Sequence, residues 1–147
     1  MLKREQTGVM LLEALIAILV FSIGILAVVG MQSIAIKNVS DAKVRSDAGF
    51  LVNELLAQMW TDKGNINTYA YPGSGPVPVK IQGWVNRVNA RLPDAAGNPP
   101  IITVTGGTPL GGLVQVTLRW RMPEEVTKNF PAHQHSTLAT IAYDPPP

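Results

Sequence analysis

Glu13 is the one ionisable side chain in an apolar run that extends from Val9 to Ile36. From Val9 to Met31 only Glu13 and Ser22 are strongly polar, and Gly24 and Gly30 are the only residues there that weaken a helix. As a helix, a run of this length spans a bilayer. An ionised carboxylate at membrane depth is costly, and one retained there calls for a partner of opposite charge. The chemistry that Glu13 offers is therefore the capture of a cation.

The residues upstream supply a candidate cation. Lys3, Arg4 and Glu5 form a short polar leader, and Gly8 directly precedes the run. This order is that of a secretory signal, but the apolar part far exceeds the roughly 7 to 15 residues of a signal-peptide core, and no small-x-small cleavage site follows it. The apolar segment is thus expected to be retained. Cleavage after Gly8 would instead create an amino group on Val9, four residues from Glu13, and residues i and i+4 share a helix face. That amine and the Glu13 carboxylate can neutralise each other within one chain or between chains packed side by side.

Gly8-Val9-Met10-Leu11-Leu12-Glu13, followed by Ala14 to Val20, resembles the class III signal of type IV prepilins and pseudopilins. The continuation from Phe21 to Gln32 is most similar to the minor pilins of the PilV type. The resemblance covers about Gly8 to Gln32. It implies that a prepilin peptidase cuts between Gly8 and Val9 and methylates the new N-terminus. It implies Glu13 as the assembly residue, pairing with a subunit N-terminus, and Gly24 and Gly30 as points of helix flexibility. Further implied partners are other minor pilins, the major pilin, the inner-membrane pilus assembly machinery and, before assembly, membrane lipid. Val9 stands where phenylalanine is commoner, and Gly30 where major pilins usually carry proline; the second departure favours a minor subunit. A pseudopilin of a type II secretion system is the alternative within this superfamily. An uncleaved, single-pass anchored periplasmic binding domain is the alternative outside it.

Other residue types offer less. His133 and His135 form an H-x-H pair, but a zinc site needs three or four convergent ligands, and no cysteine or paired carboxylate stands nearby; the two are assigned to a loop. Arg119 and Arg121 read as the solvated face of a strand beside Glu124 and Glu125 rather than as a strip for nucleic acid. Trp60, Trp84 and Trp120 each fall on an apolar pattern and are assigned to the core. No order of serine, histidine and acid is worth defending, there is no cysteine nucleophile, and Asp94, Glu124, Glu125 and Asp144 lie without motif context. Ala95 to Pro100 and Gly106 to Gly112 are turn chemistry, with no lysine and helix following as a phosphate cradle requires. The expectation is a non-enzyme without metal or cofactor.

Length and charge agree. At 147 residues the chain allows one small domain plus a membrane segment, and the mean hydropathy of +0.17 comes mostly from the first 36 residues. The formal net charge is +2, of which Lys3, Arg4 and Glu5 contribute one unit, so an isoelectric point near 9.1 makes no case for nucleic acid. Zero cysteines rule out a disulfide staple, and stability must come from packing. Lys3 and Arg4 predict that the short end stays in the cytoplasm, and the resemblance implies a bacterial inner-membrane protein with a periplasmic domain that later enters a pilus.

The elements that must position Glu13 follow from periodicity. Beyond Ile36, Val44, Ala48, Leu51, Val52, Leu55, Leu56 and Met59 recur at helical spacing, while Lys37, Asp41, Arg45, Asn53 and Gln58 mark a polar face. Gly49 costs about 1 kcal/mol relative to alanine and does not end the helix; Asp62-Lys63-Gly64 does. A helix from Val9 to Thr61 is on the order of 80 Å long at 1.5 Å per residue, more than a small domain can cover. Tyr69 to Pro78 reads as a loop. Ile81, Trp84, Val85, Val88 and Leu92 predict a short amphipathic helix that Pro93 ends. Ile101 to Thr105 reads as a strand, Gly106 to Gly112 as a loop, and Val114, Val116, Leu118 and Trp120 alternate as a half-buried strand; Ala139, Ile141 and Tyr143 suggest a third. Pro145 to Pro147 reads as a disordered tail. The fold expected is α+β, of the type IV pilin-like kind: a long N-terminal helix, transmembrane then amphipathic, packed on a small, mostly antiparallel sheet. Its parts are a leader over 1–8, a membrane or fibre-core half-helix over 9–36 and a periplasmic domain over 37–147.

Overall fold

Apolar residues on every side of a helix, then on one side only, give two different environments to one element, α1, at Thr7–Thr61. The computed structural model describes residues 7–106 and 111–142. It divides into two compact units, Met1–Ala42 and Lys43–Pro147, with the division inside α1. In the first unit every residue from Gly8 to Ser40 is exposed. Gly24 and Gly30 interrupt nothing, since α1 is continuous through both.

The second unit contains the entire buried core, from Val44 to Ile141. The α1 stripe Val44, Ala48, Leu51, Val52, Leu55, Leu56 and Met59 is buried, as its spacing predicts. After α1 a short 3-10 helix, Lys63–Tyr69, buries Ile66 and Tyr69. The expected loop therefore begins later than Tyr69. Tyr71 also departs from it, exchanging backbone hydrogen bonds with Ile102 at 2.9 and 2.8 Å. Gly73, in the left-handed region at φ +82°, lets this turn pass close to Ile101, whose Cγ1 would lie 3.1 Å from an added Cβ.

Helix α2, Val79–Arg91, buries Ile81, Trp84, Val85 and Val88. It runs antiparallel to α1, because Gln58 Nε2 donates to the Lys80 carbonyl at 3.3 Å, Glu54 pairs with Arg87 at 2.6 Å, and Arg91 lies over the Phe50 ring at 5.5 Å. Between these contacts the buried indole of Trp84 donates to the Leu51 carbonyl at 2.8 Å. The sheet has three antiparallel strands in the order β1 (Ile101–Thr105), β2 (Gly111–Trp120), β3 (His133–Ala142). Its inner face carries Ile102, Val114, Val116, Leu118, Trp120 and Ile141 into the core. A short helix α3, Pro123–Thr127, joins β2 to β3. The layout is thus α+β, with the second part of a long N-terminal helix packed on a small antiparallel sheet.

Four further expectations change. Gly111 and Gly112 belong to β2 rather than to the preceding loop. His133 and His135 lie in β3, not in a loop. Trp84 and Trp120 are buried at 1% and 3% exposure, but Trp60 is 43% exposed and holds Lys63 Nζ 4.9 Å from its ring centre. The helix turns about 100° per residue, which carries Trp60 past the edge of the stripe that ends at Met59. Arg119 and Arg121 are held rather than free, as described below. Tyr143 and the proline tail lie outside the described residues.

The burial difference is measurable. Trp84→Ala should lower the unfolding free energy of the Lys43–Pro147 unit by about 3–5 kcal/mol, the usual cost of truncating a buried aromatic. Trp60→Ala should cost less than about 1 kcal/mol. Urea titration of the full chain in detergent, followed by fluorescence of the remaining tryptophans, checks both.

Candidate functional site

Between Val9 and Ile36 every large apolar side chain is exposed, from 49% at Ile25 to 75% at Met10. Each such side chain gains about 1.5–3 kcal/mol on leaving water, so the surface as a whole represents on the order of tens of kcal/mol of burial that this unit does not supply. Continuous apolar surface on this scale marks a contact with membrane or protein. By length and composition α1 is a helix that can cross a membrane.

Glu13 sits within that surface. It lies exposed on one face of α1 with Val9, Leu12, Ile16 and Ala17, which together line a shallow apolar depression. Val9 and Glu13 are thus neighbours one helical turn apart, as their spacing predicts. Gly8, at the start of the described helix, has open space where a Cβ would stand. Further along, Phe21, Gly24, Ile25, Val28, Val29 and Gln32 frame a second depression over Gly24, and nothing lies within 4 Å of an added Cβ at Gly24 or Gly30.

The two hydroxyls of the run are satisfied within the helix. Ser22 Oγ donates to the Ile18 carbonyl at 2.7 Å and Ser33 Oγ to the Val29 carbonyl at 3.2 Å. Such bonds to the preceding turn let a hydroxyl enter an apolar medium at little cost. Glu13 has no hydrogen bond or ion pair of this kind among the described residues. Its carboxylate is left for a group outside the described chain.

In the Lys43–Pro147 unit the polar clusters clamp the fold. Asp62 accepts from Asn65 Nδ2 at 2.6 Å, from the Tyr69 hydroxyl at 3.0 Å and from Lys80 Nζ, joining the ends of α1, the 3-10 helix and α2. The Asn65 bond first, and then the Lys80 bond, hold the Asp62 carboxyl below its ordinary pKa. Burial, followed by the bond to Asp62, pushes the Tyr69 phenol above its own. Asp94, at φ +56°, accepts from Arg121 Nε at 2.7 Å and from Asn98 Nδ2 at 2.8 Å, while Arg119 Nη2 donates to the Pro99 carbonyl at 3.2 Å. Both arginines therefore pin the segment between α2 and β1, where the sequence suggested a solvated face.

Glu125 accepts from the Met122 backbone N–H at 2.8 Å through Oε2 and meets His133 Nε2 at 2.8 Å through Oε1. The His133 ring lies over Trp120, its cross-strand neighbour, at 6.0 Å between centroids and 26° between planes. Sequence reasoning missed this cluster, although Pro123 two residues before Glu125 is a helix-start signal that points to it. His135 lies on the same face as His133, its Nε2 3.2 Å from Thr137 Oγ1. Among the described residues no group of three or more His, Asp or Glu side chains converges to hold a metal.

Compared with models of known families, with curated proteins and with solved structures, the chain matches none. The functional reading therefore rests on the residues themselves.

The Asp62 cluster gives a signed pH dependence. A depressed carboxyl stabilises the fold above the ordinary aspartate pKa of about 3.9, and that contribution is lost as pH falls through the lower folded value. Asp62 and Lys80 are 28% and 40% exposed, so the contribution is below about 1 kcal/mol. Asp62→Asn should remove it at neutral pH and flatten the acid limb of stability, as read by denaturant titrations between pH 2 and 7, a span of about five units around that reference value.

Proposed function

We propose that this chain is a minor subunit of a type IV pilus, similar to the minor pilins of the PilV type, that takes part in priming fibre assembly or in the tip complex. One observation carries the reading. Glu13 is the single ionisable group in the exposed apolar run from Val9 to Ile36, it shares a face with Val9, and it has no partner of its own among the described residues. The resemblance of Gly8 to Gln32 to a prepilin signal supports the same reading from sequence.

The mechanism follows from charge and apolar area. A prepilin peptidase cuts after Gly8 and leaves an amine on Val9, which the enzyme methylates. The apolar face of α1 is held by lipid in the inner membrane, with the globular part in the periplasm. Transfer from lipid to the helices of sister subunits exchanges one apolar environment for another, so it requires little hydrophobic work. During that transfer the Val9 amine of one subunit meets Glu13 of its neighbour, and the pair neutralises two charges that the apolar interior penalises singly. The α+β domain presents the subunit to other minor pilins. In this role the chain is a peptidase substrate and a building block, and its own residues catalyse nothing.

Two measurements test the reading. Intact mass and N-terminal sequencing of the cellular protein should give a chain beginning at a methylated Val9; a working protein that keeps Met1 to Gly8 sinks it. Glu13→Ala should leave membrane insertion unchanged, because removing a charge favours it, while recovery of the subunit in sheared fibres or in crosslinked minor-pilin complexes falls at least about tenfold, the equivalent of 1.4 kcal/mol.

A further inference from the structure

We propose that, while a bilayer holds α1, Ala14 to Ile36 fill the hydrocarbon core and Glu13 lies just outside it, in the headgroup layer, so that its carboxylate stays hydrated until the helix leaves lipid. The inference rests on the membrane-held state of the reading above, and not on cleavage after Gly8 or on the fibre.

The apolar run is longer than a bilayer core is thick. α1 is continuous from Val9 to Ile36, and at 1.5 Å per residue that stretch measures about 42 Å, against a core of about 30 Å. To lie wholly within the core, the helix would tilt by about 45°, beyond the range of roughly 0–40° that membrane helices adopt. Residues at one end therefore leave the hydrocarbon. Two limiting placements remain, equal in length at about 34 Å and both accommodated by a tilt of about 30°. One takes in Val9 to Met31, Glu13 included, and leaves out Gln32 to Ile36. The other takes in Ala14 to Ile36 and leaves out Val9 to Glu13.

Polar residues decide between them. The first placement buries the side chains of Val9 to Leu12 and the second those of Ile34, Ala35 and Ile36, a difference of about one apolar side chain. The first also carries into hydrocarbon the Glu13 carboxylate, which has no hydrogen bond or ion pair among the described residues. The second carries in the neutral amide of Gln32 and the hydroxyl of Ser33, which already donates to the Val29 carbonyl at 3.2 Å. An ionised group costs far more to bury than an amide. In the second placement Glu13 and Lys37 flank the core at its two boundaries. Val9 to Leu12 then keep apolar contact where headgroups meet acyl chains, the level at which interfacial helices lie. The Glu13 charge is thus withdrawn from water only when α1 moves from lipid to another apolar environment.

The chain contains no cysteine, so single cysteines report depth directly. N-ethylmaleimide crosses a bilayer but reacts with thiolates, which form where water reaches the thiol. The full chain is reconstituted into phosphatidylcholine vesicles with a core of about 30 Å. Leu11→Cys should then react at least about tenfold faster than Ile23→Cys at the middle of the span, and Ile34→Cys should react as slowly as Ile23→Cys. Adding Glu13→Leu to each should invert the order, slowing Leu11→Cys and exposing Ile34→Cys, because Gln32 and Ser33 are then the polar residues that seek the boundary. Faster reaction at Ile34→Cys than at Leu11→Cys, equal rates at the two positions, or an order unchanged by Glu13→Leu overturns the proposal. Every arm uses the unprocessed chain, so the outcome is independent of whether a peptidase cleaves it or a fibre takes it up.

Discussion

The apolar surface of α1 between Val9 and Ile36, with one carboxylate set into it, is the constraint to which the rest of the structure answers. No core in its own unit covers that surface, and every residue from Gly8 to Ser40 is exposed. Hydrophobic free energy of this size is not left facing water by a stable protein. The helix must therefore be completed by something outside its own unit. Lipid and other helices both meet the requirement, and they meet it about equally well, because neither imposes a strong preference on an apolar side chain.

The globular part is built so as not to depend on that completion. All of its buried side chains lie from Val44 onward, and its polar clusters tie its own elements together. Asp62 joins three helical elements, Asp94 fixes the approach to β1, and Glu125 with His133 closes the connection from β2 to β3. With no cysteine in the chain, this packing and these clamps do the work that a disulfide does elsewhere. Two of the acids that looked scattered in the sequence, Asp94 and Glu125, hold its loops.

What was legible in the sequence was what repeats. The stripe from Val44 to Met59, the apolar positions of α2, and the alternation of β2 each announce a period, and burial follows it residue by residue. Strand β1 was bounded by Pro100 and Gly106 and appeared where those residues placed it. Singular contacts were not legible. The segment Lys63–Tyr69 carries no period, and its 3-10 turns depend on Ile66 and Tyr69 finding the core. His133 looks like a loop residue until Trp120 is placed across from it, and the ring then serves as an aromatic cross-strand partner. Trp60 was misread because a stripe has an edge, and one residue decides which side of it a ring lies on. At the candidate site the positions of Gly8, Val9 and Glu13 on one helix were legible from spacing alone. That the hydroxyls of Ser22 and Ser33 are satisfied while Glu13 has no partner among the described residues required the structure.

That contrast explains why a carboxylate would be kept where another leucine would be cheaper. A helix that is apolar on every side packs against its neighbours in many axial positions of similar energy, since one turn of leucine and isoleucine resembles the next. A single charge removes that degeneracy. In the proposed fibre only one offset brings Glu13 to the new amine of an adjacent Val9, and every other offset leaves two unpaired charges in an apolar interior, at several kcal/mol each. The pair need contribute little net stability to decide the register, because it acts through the penalty on the alternatives. The hydrophobic surface supplies the cohesion, and the one group that opposes cohesion supplies the order.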